Sequence, residues 1–253
     1  SVFSLYHVAM SQSIDSLLNE SWELRNTSTK RSILKARKAL QLSLKRFDTI
    51  HAAESANIIG INYKNKGVED SALYYYHFSL GLRSALGDSN LIVGSLNNIG
   101  NLYRKTGNYD SALVHYGKAR EVLSKSINKI GQAKNSNNLG IIYRQKGEYG
   151  KALGFLYEAL EIQKEIGEGV GLGEAELSLG NFFNSLGDLK KARFHYQNSL
   201  QVFNSTNKLL YSAKVLHNLG NVLQQEKQYN KAKENYLNAL SIYENQSYQY
   251  GIA

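Results

Sequence analysis

The 253-residue sequence contains no proline and no cysteine, one methionine and one tryptophan. Average usage of about 5% would give a chain of this length roughly a dozen prolines. Their absence argues against a loop-rich sandwich, a proline-rich linker and a disordered tail. Without cysteine there is no disulfide framework, no thiolate metal site and no cysteine nucleophile. The redox compartment is left open. No run of about 18 apolar residues occurs, so the sequence holds no complete transmembrane helix.

Charge is present in excess of one sign: 30 basic against 21 acidic residues, a formal net charge of +9. The surplus is local. Residues 1–50 carry 8 basic and 4 acidic groups, and residues 91–130 carry 6 and 2. Much of it lies between Arg25 and Arg46, at helical spacing. We read that stretch as a solvated helix face rather than a nucleic-acid stripe, so nucleic acid is disfavoured as a partner.

What the sequence has in quantity is glycine, with 21 residues, and tyrosine, with 18. Gly60, Gly100, Gly140, Gly180 and Gly220 recur every 40 residues. Three residues after each comes a large residue: Tyr63, Tyr103, Tyr143, Phe183 and Leu223. A second series, Gly67, Gly107, Gly147 and Gly187, is broken at Lys227. Ala72, Ala112, Ala152, Ala192 and Ala232 keep the same period, and four residues after each stand Tyr76, Tyr116, Leu156, Tyr196 and Tyr236. A fixed period in the range of about 20–50 residues is the mark of a stacked repeat array.

Each unit reads as two helices. Leu96, Ile99, Gly100 and Tyr103 share one helical face. Gly107 then ends helix A, where a left-handed cap needs no Cβ. Helix B follows with Tyr109, Ala112, Leu113, Tyr116, Ala119 and Leu123 on its apolar face. Gly100 and Ala112 let the two helices approach, and the tyrosines fill the gaps between successive pairs. The tyrosines are therefore expected in the core rather than on a base-stacking platform.

The run Leu96-Asn-Asn-Ile99-Gly100-Asn-Leu-Tyr103 followed by Ala112-Leu-Val-His-Tyr116 resembles the tetratricopeptide repeat. The resemblance implies an all-α fold, a right-handed superhelical solenoid of helix-turn-helix repeats. It covers 51–250 as five units (51–90, 91–130, 131–170, 171–210 and 211–250). It extends more weakly over 12–50 as a degenerate capping repeat, with Trp22 and Leu24 on helix A and Ser32, Ala36, Ala39 and Leu40 on helix B. The 40-residue period and the missing consensus proline depart from the common form. This long-repeat type looks like that of kinesin light chains, mitotic-spindle scaffolds and bacterial signalling proteins.

The ends carry two further expectations. Residues 1–11 include a mostly apolar stretch, Val2 to Met10, ending in Ala9-Met10-Ser11. This reads as a signal-peptide remnant, with a first amphipathic helix from about Leu5 as the alternative. Periplasmic or exported localisation is accordingly preferred to cytoplasmic. Residues 251–253 match the start of a further repeat. Together with Ser13-Ile14-Asp15-Ser16-Leu17-Leu18, these ends are similar to the sensor region of Bacteroidetes-type signalling proteins. The resemblance implies the sensor or scaffold part of a larger protein.

No catalytic constellation stands out, so the chain reads as a non-enzyme needing no cofactor. The six histidines form no His-x3-His or His-Glu-x2-His pair, and no metal site is expected. His115 and His195 share one register and are expected on the helix surface. Gly167, Gly169, Gly171 and Gly173 read as a flexible joint between helices, not a phosphate loop, because no strand precedes them.

The resemblance implies that helix A lines a concave groove that binds an extended segment. The positions opposite the packing face are Lys64, Asn97, Asn101, Arg104 and Lys105, and then Lys134, Asn137, Arg144, Asn181 and Asn221. Asparagine columns can pair with both backbone groups of a peptide. The cations beside them favour acidic side chains or a free carboxylate. Asn98, Asn138 and Asn218, one register on, are expected to bond between helices, and some of the 97 and 101 registers could do the same. The leading expectation is a protein- or peptide-binding module. The alternative is a structural or dimerising scaffold, as a homo-oligomer, without a groove ligand.

Overall fold

A computed structural model of the chain describes residues 2–167 and 169–249, with side chains described for 13–167 and 169–246. It divides into two compact units, Ser1–Ser126 and Ile127–Ala253. The first holds α1 (Val2–Leu24), α2 (Thr29–Lys45), α3 (Thr49–Asn65), α4 (Glu69–Leu86), α5 (Ser89–Lys105) and α6 (Tyr109–Ser124). The second holds α7 (Lys129–Gln145), α8 (Tyr149–Ile166), α9 (Val170–Ser185), α10 (Leu189–Ser205), α11 (Leu209–Gln225) and α12 (Tyr229–Gln249). Each odd-numbered helix pairs with the even-numbered one that follows it. Within each unit successive pairs stack, as α2 on α3 and α4 on α5, or α8 on α9 and α10 on α11. All described elements are helical, the all-α repeat architecture that the 40-residue period led us to expect.

The local sequence explains where the helices start and stop. Asp88 caps α5, its carboxylate accepting the backbone N–H groups of Asn90 and Leu91 at 2.9 and 3.1 Å. Val93, Leu96, Ile99 and Leu102 bury one face of that helix. The helix ends where Gly107 turns left-handed, with φ 78°. The Asn108 N–H then reaches back to the Tyr103 carbonyl at 2.9 Å. The Asn108 side chain in turn caps α6 by accepting from the Ser111 N–H at 3.1 Å. Three residues thus close one helix and open the next.

Glycine at the 60/100/140/180/220 register is required by packing. A Cβ on Gly100 would meet the Tyr116 ring at 2.7 Å, and one on Gly140 would meet Leu156 at 2.7 Å. Gly60, Gly180 and Gly220 stand in the same relation to Tyr76, Tyr196 and Tyr236. Interiors are packed too densely for an added methyl to be absorbed without movement. Tyr76, Tyr116 and Tyr196 are buried, as are Ala72, Ala112, Ala152 and Ala192.

Two expectations about glycine change. Lys227 interrupts the Gly67 series in sequence but not in backbone, since it adopts φ 60° where the glycines adopt 74° to 78°. Of the four glycines read as a joint, only Gly167 and Gly169 lie between helices, while Gly171 and Gly173 lie within α9. Their role is close approach: a Cβ on Gly173 would strike the Phe203 ring at 2.6 Å, and one on Gly171 the Gln163 amide. The leader read over 1–11 rests on side chains outside the described residues, and so does the repeat start at 251–253.

Candidate functional site: the wall of odd-numbered helices

Neighbouring odd-numbered helices are laced by polar side chains. In the first unit Asn98 Nδ2 donates to Asn57 Oδ1 at 2.8 Å, and Lys105 Nζ approaches the Lys64 carbonyl at 3.5 Å. In the second, Asn218 Nδ2 donates to Asn181 Oδ1 at 3.2 Å and Gln225 Nε2 to Asn184 Oδ1 at 3.4 Å. Asn98 and Asn218 therefore bond between helices, as expected from their register.

The asparagine columns separate by role. Asn101, Asn181 and Asn221 accept the hydroxyls of Tyr116, Tyr196 and Tyr236 at 2.9, 2.8 and 2.8 Å. Each tyrosine comes from the even-numbered helix of the same pair. Their carbonyl oxygens are therefore committed within the fold. Asn97 and Asn137 differ. Both are half-buried, and the Oδ1 of each is buried without a partner.

The first unit gathers three cations at the C-terminal ends of α3 and α5, where the helix dipole favours positive charge. Lys64 and Arg104 are half-buried and Lys105 is exposed. Burial holds the Lys64 ammonium below the usual lysine range, and the charge of Lys105 adds to the effect. Arg104 lies beside the Tyr116 hydroxyl, yet its Nε is buried without a partner. Burial pushes the Tyr116 phenol up to about 12 even so. In the second unit Arg144 is half-buried near Tyr196, and Lys134 is exposed on α7.

Several cations of the basic Arg25–Arg46 stretch are engaged inside the first unit. Lys35 pairs with Glu20 at 2.6 Å, Arg37 donates to the Tyr63 hydroxyl at 2.7 Å, and Arg25 lies 3.8 Å over the Trp22 ring.

Two buried charges were not anticipated. His195, expected at the surface, is buried and meets buried Glu176 at 2.7 Å, stacked flat on Phe183. The correction follows from Glu176, which occupies a register otherwise held by Ala56, Leu96, Ser136 and Leu216. A carboxylate there draws the imidazole inward. Arg83 occupies another core register, elsewhere Ser43, Leu123, Gln163 and Phe203, all buried. A lone charge in an otherwise uncharged register was the available signal for both. Among the described residues no group of three or more His, Cys, Asp or Glu could hold a metal ion, and no helix is long and apolar enough to cross a membrane.

The sequence pattern of the tetratricopeptide repeat matches residues 91–165 and 171–245. No curated protein matches the chain closely enough to count. Among solved structures it is similar to BtubC (BKLC) from P. vanneervenii, at 21% identity and a TM-score of 0.73, over 87% of this chain and 93% of that one. It is also similar to aspartyl phosphate phosphatase F from Bacillus subtilis, at 14% identity and a TM-score of 0.71, covering 91% of this chain and 60% of that one. A third is a Rap protein complexed with competence and sporulation factor, at 18% identity and a TM-score of 0.73, covering 95% and 66%. The chain thus spans less than two thirds of the last two, and likeness at these identities is a likeness of fold.

Proposed function

The chain belongs to the tetratricopeptide repeat family, and we propose that it is a non-catalytic module whose odd-numbered helices bind a protein or peptide segment. We read it as the sensor or scaffold part of a larger signalling protein. The observation that carries the reading is the cation group of the first unit. Lys64 and Lys105 lie near one another with Arg104 next to Lys105 on α5, Lys64 is held below its usual range, and Arg104 keeps a buried unpartnered donor. Charge assembled at a desolvation cost without a carboxylate is relieved by an anionic ligand. Acidic side chains or a chain-terminal carboxylate are the matching chemistry. Asn97 contributes amide groups to the bound backbone in the first unit, and Asn137, with Arg144 and Lys134 near it in sequence, does so in the second. Asn101, Asn181 and Asn221 orient the tyrosines and keep only their amide N–H groups for a ligand. The family, and the similar Rap protein's complex with competence and sporulation factor, support a protein-binding role.

The test is capture of acidic peptides from an array by the whole chain, beside the Lys64→Ala/Arg104→Ala double variant. Loss of at least tenfold in affinity at unchanged helicity is the expected result. Undiminished capture by the variant would sink the proposal.

A further inference from the structure

Among the described residues the two buried charges, Glu176 and Arg83, are not alike. Glu176 is met by His195 at 2.7 Å. Arg83, only 8% exposed, has no carboxylate at ion-pair distance among the described residues. Its Nη1 donates to the Leu91 carbonyl at 3.2 Å and to the Ser95 hydroxyl at 2.9 Å, while its Nε is buried with no partner. A guanidinium out of water needs a paired anion, and leaving one unpaired is destabilising. Burial does hold Arg83 below the ordinary arginine range, with the charges of Glu54 and Asp88 offsetting it only in part.

Arg83 lines a cavity of about 490 Å³ in the first unit, walled by α1, α3 and the start of α5. That volume lies within the range of about 300–1,000 Å³ usual for small-molecule sites. Its apolar walls include Leu18, Ile58 and Leu91, and the Trp22 ring stands at one side, held by Arg25 stacked on it at 3.8 Å. Exposed Glu54 is on the same wall. One cavity therefore offers a largely buried guanidinium, an anion in reach of solvent, and an aromatic-aliphatic lining.

We propose that this cavity binds a free α-amino acid with an apolar side chain. Arg83 takes the carboxylate, Glu54 the ammonium, and Trp22 with Leu18, Ile58 and Leu91 the side chain. Two opposite charges suit a zwitterion better than a segment within a peptide, which has neither terminal charge. A peptide C-terminus satisfies Arg83 alone, and a peptide N-terminus Glu54 alone. The site is separate from Lys64, Arg104 and Lys105 and stands whether or not those residues bind a segment.

The experiment is titration calorimetry of the whole chain with L-phenylalanine and L-leucine. N-acetyl-L-phenylalanine, L-phenylalaninamide and a peptide ending in phenylalanine serve as comparisons. Saturable binding of the free amino acids is expected, weakened at least tenfold by capping either end. Arg83→Met is expected to weaken it at least tenfold. Glu54→Gln, at an exposed position that leaves the core intact, is expected to weaken phenylalanine binding but not that of the N-acetyl form. Lys64→Ala/Arg104→Ala is expected to leave it unchanged. Absence of binding by any free amino acid, equal binding of free and N-acetylated forms, or preference for the peptide would each overturn the proposal.

Discussion

The Tyr116 hydroxyl donates to Asn101 Oδ1 at 2.9 Å, whereas the Tyr76 hydroxyl, whose counterpart of Asn101 is Ile61, is buried with no partner. The same side chain in the same register is thus satisfied in one repeat and orphaned in the one before it. Tyr116→Phe is expected to cost about 1 kcal/mol, the usual net worth of such a bond. Tyr76→Phe is expected to be neutral or stabilising, because it removes an unpaired buried hydroxyl. Ile61→Asn supplies the missing acceptor and should reverse that ranking. Urea denaturation midpoints of the three variants check this. Burial also pushes the Tyr116 and Tyr196 phenols up to about 12. Their contribution is full below the ordinary value of 10 and is lost as pH rises from there toward the folded values.

Gly100→Ala is expected to destabilise despite the better helix propensity of alanine. The added Cβ lands 2.7 Å from the Tyr116 ring, and overpacking costs about 1–3 kcal/mol. Gly117→Ala is the control, since nothing lies within 4 Å of its Cβ. It should gain up to about 1 kcal/mol from propensity alone. Lys227→Gly should also stabilise, because a side chain at φ 60° carries a left-handed penalty of about 1–2 kcal/mol. Thermal unfolding of the three variants gives the signs.

Two histidines of the first unit respond oppositely to pH. For His51, burial works against the charged form, but hydrogen bonds to Asp48 and Asp15 at 2.6 and 2.8 Å outweigh it and raise its pKa. Its stabilisation is full below the ordinary value of 6.5 and is lost as pH rises through the higher folded value. For His77, burial first, then the charges of His115 and Lys118, lower the pKa. Its stabilising effect is present above 6.5 and is lost as pH falls toward the lower folded value. His51→Gln should therefore lose stability mainly on the acid side, and His77→Gln should flatten the acid-side decline. Denaturant midpoints between about pH 5 and 8 report both, with effects below about 1 kcal/mol for groups this close to solvent.

Capture of an acidic segment by Lys64, Arg104 and Lys105 should weaken with ionic strength, since the screening length falls from about 10 Å at 0.1 M to about 3 Å at 1 M. Lys105→Ala should reduce both the affinity and the steepness of the salt dependence. Fluorescence anisotropy of a labelled acidic peptide at a series of salt concentrations measures it. A slope identical to that of the unaltered chain would argue against Lys105 contacting the ligand.

The repeat was legible because packing imposes it at short range. Gly100 must be small where Tyr116 lies across it, so the two registers recur together, and Leu156 replaces tyrosine without disturbing Gly140. Asn98 and Asn218 were legible for the same reason, being displaced from the apolar face by one position. Asn101, Asn181 and Asn221 were harder to place. Their register is the outward one, but the tyrosine hydroxyl from the following helix reaches around to it, and nothing in a helical wheel reports that reach. Gly171 and Gly173 misled because glycines clustered near a helix boundary look like a joint when two of them make room for Gln163 and Phe203.

The amino-acid order alone determined the period, the all-α class, the pairing of helices and the face each one buries, because these follow from spacing along a helix and from caps within a few residues. Only the tertiary structure decided which polar groups meet. Glu176 and His195 are 19 residues apart and meet at 2.7 Å. Arg83, just as anomalous in its register, lines a cavity and has no carboxylate at ion-pair distance among the described residues. Register tells where a side chain sits on its own helix, but a charge is satisfied or stranded by what the neighbouring helices place opposite it.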